Sequence, residues 1–326
     1  MTQQSLQKGT AAKSTAYGTM QDVCGAKGET QKSAQGANHF GILGFPWDGG
    51  ASLGRPGARY APTEVRNAFG WFKGRIQNEQ VYHVESRRNF NVNANDIVDY
   101  GDIDIVAYDQ VATNVNAEAA VAQILSKGGF PFIIGGDHSI SYAPIKALHD
   151  SCTGKVGIIH FDAHLDLVDE NPLQGRYSQS SEIRRALELE RVEPEHVVQI
   201  GLRGFNYPWY DEYLKNLGVH QYTAYDVNAG NPFQIAKETI AAVADCEKVY
   251  LTFDIDVLDP AFAPGTGADE PFGLTPFQCQ VMLNEMYAHV DAFDIAEVNP
   301  TFDTHGITTA IAARIMFECF IRKFGA

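Results

Sequence analysis

Five short, predominantly apolar runs, at residues 130–134, 156–161, 197–200, 249–253 and 292–295, constrain this chain more than any other feature. Each has the length of a strand buried on both faces. Between and after them lie stretches with helical spacing, at residues 117–127 (closed by Gly128-Gly129), 181–190, 233–244, 276–289 and 307–324. Strands that alternate with helices predict a mostly parallel central sheet covered on both sides, a three-layer α/β/α sandwich. No linker or internal repeat divides residues 39–326, which read as a single α/β domain starting at His39-Phe-Gly-Ile-Leu-Gly-Phe. Residues 1–38, rich in Gln, Gly, Ser, Thr, Ala and Lys, read as a flexible N-terminal arm.

Composition narrows the possible partners. Asp and Glu number 40 against 25 Lys and Arg, a formal charge of −15 that would repel a phosphate backbone. Nucleic acid is therefore not an expected partner, whereas a small cation would be drawn in. Five scattered cysteines form no CxxC pair, which fits neither a disulfide framework nor a thiolate zinc site. With no apolar leader core and no membrane-length apolar run, the expectation is a cytoplasmic protein with no membrane partner.

The chemistry gathers just after the apolar runs, where ligand sites form in parallel sheets. Gly135-Gly136-Asp137-His138-Ser139 follows the first run, Asp162-Ala163-His164-Leu165-Asp166 the second, and Asp254-Ile255-Asp256 the fourth. Extended backbone would put Asp162, His164 and Asp166 on one side, and Asp254 with Asp256. Four carboxylates with the imidazoles of His138 and His164 would repel if buried unpaired, whereas two divalent ions would balance their charge. Two carboxylates would then have to bridge. Such an oxygen-rich set suits manganese better than zinc and admits nickel, cobalt or iron.

These segments closely resemble the signatures of the ureohydrolases, the arginase and agmatinase superfamily. Gly-Gly-Asp-His138-Ser, Phe-Asp162-Ala-His164-Leu-Asp166 and Thr-Phe-Asp254-Ile-Asp256, running on to Thr266-Gly, stand in the family's order. Gly54-Arg-Pro-Gly-Ala-Arg59 and Ala296-Glu297-Val-Asn-Pro300 are similar to the agmatinase and guanidinobutyrase branch. The resemblance implies an arginase-like fold and two divalent ions per chain, manganese or, as the alternative, nickel. It implies His138, Asp162, Asp166 and Asp254 around one ion and His164, Asp162, Asp254 and Asp256 around the other, with Asp162 and Asp254 bridging. It further implies that Glu297 binds the substrate guanidinium, that Thr266 lies in the site wall, and that Asp166 carries a proton to the leaving nitrogen. A hydroxide held between the ions would then attack the guanidine carbon, with Asp166, His164 and Glu297 as catalytic residues. Assembly into a trimer or hexamer is implied as well.

One segment departs from the pattern. Where the branch reads close to Ser-His-Gly-Thr-Pro-Phe-Arg-Arg-Ala, this chain has Ser178-Gln179-Ser180-Ser181-Glu182-Ile183-Arg184-Arg185-Ala186. Gln179 replaces a histidine and cannot titrate near neutral pH. The favoured reading is an enzyme for an unusual guanidine, either free guanidine or a substituted biguanide such as metformin. The alternatives are an ordinary agmatinase or guanidinobutyrase, or a metal-binding non-catalytic subunit of a hetero-oligomer with a homologous chain.

Overall fold

The computed structural model describes residues 38–50, 55–172 and 174–325. The N-terminal arm expected at residues 1–38 falls, but for its last residue, outside them. Among the described residues ten strands run β1 (Phe40–Gly44), β2 (Gln80–His83), β3 (Arg88–Asn91), β4 (Ile97–Asp102), β5 (Phe130–Ile134), β6 (Val156–Phe161), β7 (Val197–Leu202), β8 (His220–Thr223), β9 (Lys248–Asp254) and β10 (Ala292–Ala296). Eight of them form one sheet in the order β4-β1-β5-β10-β9-β6-β7-β8, parallel throughout. β2 and β3 make a separate antiparallel hairpin.

The helices are α1 (Ala61–Lys73), α2 (Gln110–Ser126), α3 (Tyr142–Asp150), α4 (Glu182–Ala186), α5 (Tyr210–Leu217), α6 (Ala224–Ala229), α7 (Pro232–Ala242), α8 (Pro276–Met286) and α9 (Ile307–Phe324). Within the strands, alternate residues serve opposite layers. Ile159, Leu251 and Phe293 pack with α1, α7, α8 and α9, while Ile158, Tyr250 and Ala292 pack with α3 and α5 on the other side. This is the expected three-layer sandwich, and it explains why the central strands carry apolar residues at successive positions.

Two expectations need correction in detail. The helix expected at residues 181–190 is the single turn α4, and that expected at 117–127 begins seven residues earlier, at Gln110. There Asp109 caps the helix, its side chain accepting from the Ala112 N–H at 2.9 Å. Among the described residues no helix is long and apolar enough to cross a membrane.

The register sets the site. Ile134 pairs with Ile295, Ile295 with Phe253, and Phe253 with Phe161, so four adjacent strands finish level. The polar residues after each therefore emerge at one rim. Gly136 is needed there, because a Cβ on it would fall 1.6 Å from the Trp47 carbonyl oxygen.

Candidate active site

All six candidate ligands meet at this rim. His138 Nδ1 lies 2.8 Å from Asp162 Oδ2, 3.1 Å from Asp254 Oδ2 and 3.3 Å from Asp166 Oδ2. His164 Nδ1 lies 3.1 Å from Asp256 Oδ2 and 3.3 Å from Asp162 Oδ1. Asp162 thus faces both imidazoles, one with each oxygen. Asp254 points Oδ2 at His138, and its Oδ1 accepts from the Asp256 N–H at 2.7 Å.

The convergence does not come from strand periodicity, as the sequence suggested. β6 ends at Phe161, and residues 162–166 follow an irregular path in which Asp166 has φ of 50°. β9 ends at Asp254 and turns directly into the 3-10 segment Ile255–Val257. Glu297, at φ of 59°, is the second left-handed residue of the site. Such a backbone costs a non-glycine residue about 1–2 kcal/mol. Backbone bonds hold it: Arg184 N–H donates to the Asp166 carbonyl at 3.1 Å, and Glu297 N–H to the Gly136 carbonyl at 2.8 Å. Strain retained at two candidate functional residues is typical of a preorganised site.

Polar side chains inside the apolar strands orient the imidazoles and carboxylates. Tyr250 donates to Asp294 at 2.5 Å and Thr252 Oγ1 to the same carboxylate at 2.8 Å. With its proton so committed, Thr252 accepts from His138 Nε2–H at 2.8 Å, which turns the Nδ1 lone pair toward Asp162, Asp166 and Asp254. A second chain starts at Gln221, whose amide donates to Gln199 Oε1 at 2.8 Å. Gln199 Nε2 donates to the Leu165 carbonyl and to His160 Nδ1, so His160 carries its proton on Nε2 and donates it to Asp162 Oδ2 at 2.9 Å. Sequence reasoning missed His160, Gln199, Thr252, Asp294 and Glu182. For the first four the signal available was a polar residue inside a strand buried on both faces, where each needs a partner; Glu182 lies in α4 and carried no such signal.

The electrostatics of the cluster are those of carboxylates short of positive charge. Burial, then Asp256 and Asp162, hold Asp254 well above the usual carboxylate range. Burial, then the Asp166 charge, does the same to Glu182, and burial followed by Asp162 raises Asp166. Asp162 is held low: burial opposes this, but His160, His138 and His164 all favour its ionised form. His138 Nδ1 and Asp256 Oδ2 are buried without a directed hydrogen bond although charged atoms stand within 3.3 Å. Lone pairs that approach each other without bonding point at a shared centre between them, and the donor set fits divalent cations there.

A cavity of about 510 Å³ opens onto this cluster. Its wall includes His164, Asp166, Glu170, Gln179, Tyr207, Trp209, Tyr210 and Glu297. Glu297 is buried; its Oε1 accepts from the His138 N–H at 3.0 Å, and burial, followed by the Asp137 charge, pushes its carboxyl well up. Thr266 is fully buried with no hydrogen-bond partner for its hydroxyl, and Ala268, two residues on, lines the cavity in its place.

Comparison with known proteins agrees with this geometry. The Arginase family model matches residues 38–321. The chain is 32% identical to the guanidinopropionase of Pseudomonas aeruginosa, over 89% of either chain. It is 33% identical to the proclavaminate amidinohydrolase of Streptomyces clavuligerus, over 85% of either chain. Among solved structures, the formimidoylglutamase of Bacillus subtilis superposes with a TM-score of 0.79 at 27% identity, covering 97% of this chain and 94% of that one. The chain therefore belongs to the arginase family, as a ureohydrolase of its agmatinase-like branch that cleaves amidino or guanidino C–N bonds.

Proposed function

We propose that the substrate is a guanidine without a carboxylate tail, with free guanidine or a substituted biguanide such as metformin favoured. The observation that carries this reading is the charge of the cavity wall. Apart from the candidate ligands His138, His164, Asp166, Asp254 and Asp256, whose charge two divalent ions would balance, its ionisable residues are Glu170, Glu297, Tyr207 and Tyr210, and among the described residues no Lys or Arg lines it. A carboxylate tail would meet like charge there and leave its water behind without a partner. Guanidinopropionase and formimidoylglutamase, by their names, take acids. A cation meets the opposite conditions, with Glu170, Glu297 and the exposed aromatic side chains of Tyr207 and Trp209 in the wall.

The family implies a binuclear divalent-metal site. In this reading His138, Asp162, Asp166 and Asp254 hold one ion and His164, Asp162, Asp254 and Asp256 the other, with manganese favoured over nickel. When bound, the ions supply a water nucleophile at neutral pH and Lewis acidity. The chain does the rest. Glu297, fixed by the His138 N–H, takes two parallel hydrogen bonds from the planar guanidinium and so sets its orientation. Asp166 receives a proton from the attacking water and returns it to the departing nitrogen, and His164, partly open to the cavity, lies beside that path. Gln179 offers an amide donor and acceptor but no proton, which suits a neutral nitrogen. Water and guanidinium thus give urea, or a urea derivative, and an ammonium or amine. Agmatine, cationic at its far end, is the runner-up within the same acidic wall.

Residues 39–326 act as one catalytic unit in this reading, a cytoplasmic trimer or hexamer of identical chains. The test is a purified single chain loaded in parallel with manganese and nickel and assayed for urea and amine release. Guanidine, methylguanidine, biguanides, agmatine, guanidinobutyrate and guanidinopropionate form the panel. Carboxylate-free compounds should lead by at least about 100-fold in kcat/KM, the scale of the roughly 3–5 kcal/mol that a buried charge without a partner costs. A preference for guanidinopropionate overturns the substrate class. Activity that appears only on mixing with a homologous chain overturns the single-chain enzyme in favour of a hetero-oligomer.

A further inference from the structure

Glu182 stands where the agmatinase-like pattern has proline, and it opens the turn α4 directly behind the cluster. It is 1% exposed, neither carboxylate oxygen meets an N–H or hydroxyl donor, and the Asp166 carboxylate lies beside it. Among the described residues its ion pairs are with two imidazoles only, Oε1 lying 3.8 Å from His138 Nδ1 and 3.6 Å from His160 Nε2. Its backbone is tied to the ligand loop, since Arg184 N–H donates to the Asp166 carbonyl and Val168 N–H to the Ser180 carbonyl at 2.9 Å. A carboxylate buried so completely is strongly disfavoured unless a cation meets it.

Distances select the cation. One ligand atom each from His138, His160, Asp162, Asp166 and Glu182 lies within 4.8 Å of all the others. His160 is committed, its Nε2–H donating to Asp162 and its Nδ1 accepting from Gln199. Donors at about 2.1 Å around a six-coordinate ion stand about 3.0 Å apart when adjacent and about 4.2 Å when opposite. From His138 Nδ1 the nearest oxygens of Asp162, Asp254, Asp166 and Glu182 lie at 2.8, 3.1, 3.3 and 3.8 Å, within or close to that range.

We propose that Glu182 is a further ligand of the divalent ion on the His138 side, which then takes one imidazole and four carboxylates from this chain. The inference rests on the reading that the cluster holds two ions. A set of five side-chain donors rich in oxygen favours six-coordinate manganese or nickel and disfavours zinc, which prefers four.

The test compares wild type with Glu182→Gln and Glu182→Asp as full chains. Metal content is measured by elemental analysis after dialysis against defined free Mn²⁺ or Ni²⁺, and Co²⁺ visible absorption reports coordination number. Glu182→Gln should keep the His164-side ion and bind the other at least about tenfold more weakly. Its Co²⁺ bands should intensify as one donor is lost, and Glu182→Asp should fall between the two. Metal-free Glu182→Gln should be at least as stable as metal-free wild type, since a buried carboxylate has gone. Unchanged affinities and Co²⁺ spectrum overturn the inference while leaving the two-ion reading intact, and so does a metal-free Glu182→Gln that fails to fold, which would make Glu182 a packing residue. A wild type that binds no divalent ion overturns the two-ion reading itself.

Discussion

Thr252→Val isolates one atom of the site. The side chain is fully buried, and valine keeps its shape while removing the hydroxyl that accepts from His138 Nε2–H and donates to Asp294, each at 2.8 Å. His138 Nε2 and Asp294 lose that partner at about 1–3 kcal/mol each, while Ser141 Oγ, 3.2 Å from the same hydroxyl, keeps Asp294 as a partner. Asp294 keeps its bond from Tyr250, so the total should be about 2–4 kcal/mol. At about 2 °C per kcal/mol for a domain of this size, metal-free protein should melt about 4–8 °C lower. The imidazole also loses what fixes its proton on Nε2, and loss of such a support weakens metal binding about 10- to 100-fold. Differential scanning calorimetry of metal-free protein and competition with a chelator of known affinity measure the two effects separately, with Thr252→Ser as the variant that restores the hydroxyl. The reasoning fails if Thr252→Val binds both ions within twofold of wild type, because His138 would then be oriented by packing alone.

Three further outcomes are expected. Glu297→Gln should retain the bond from His138 N–H and both ions but lose the charge opposite the guanidinium, lowering kcat/KM about 100-fold; a change below threefold would remove Glu297 from substrate recognition. Gln179→His should leave metal content intact and shift the kcat/KM ratio between small guanidines and agmatine by about 1–3 kcal/mol, whereas a constant ratio would show that this loop is not the selector. The third concerns pH. In metal-free protein burial raises Glu182, Asp254 and Glu297, and takes Asp137 up to about 7. A raised carboxyl contributes stability in full below its unfolded value of about 4 and loses it as pH rises through the folded value. Melting temperature should therefore fall from pH 4 toward pH 7 and beyond, less so in Asp137→Asn. Asp162, held low, completes its own change below its unfolded value of about 4 and so does not offset this fall. A flat profile would show that these carboxyls are not strained by burial.

The layer architecture and the six clustered residues were legible in the chain itself. Apolar runs of strand length at residues 130–134 and 156–161 coincide with β5 and β6, because a strand buried on both faces has no polar alternation to blur its ends. His138, Asp162, His164, Asp166, Asp254 and Asp256 follow such runs directly, so the rule that parallel strands deliver ligands at their carboxyl ends was enough to group them. Strand order was not legible. β10 and β9 sit between β5 and β6 although they come last in sequence, and no local pattern records which strand a crossover skips. That insertion makes His138, Glu297, Asp254 and Asp162 neighbours. Nor could periodicity foresee that Asp166 and Glu297 adopt left-handed backbone, since the strain is carried by bonds to Arg184 and Gly136 from distant segments. Glu182, Thr252 and His160 gain their meaning only from what lies across the fold. A side chain's partners are set by tertiary contact, while the sequence sets only its chemistry and its place along the strand.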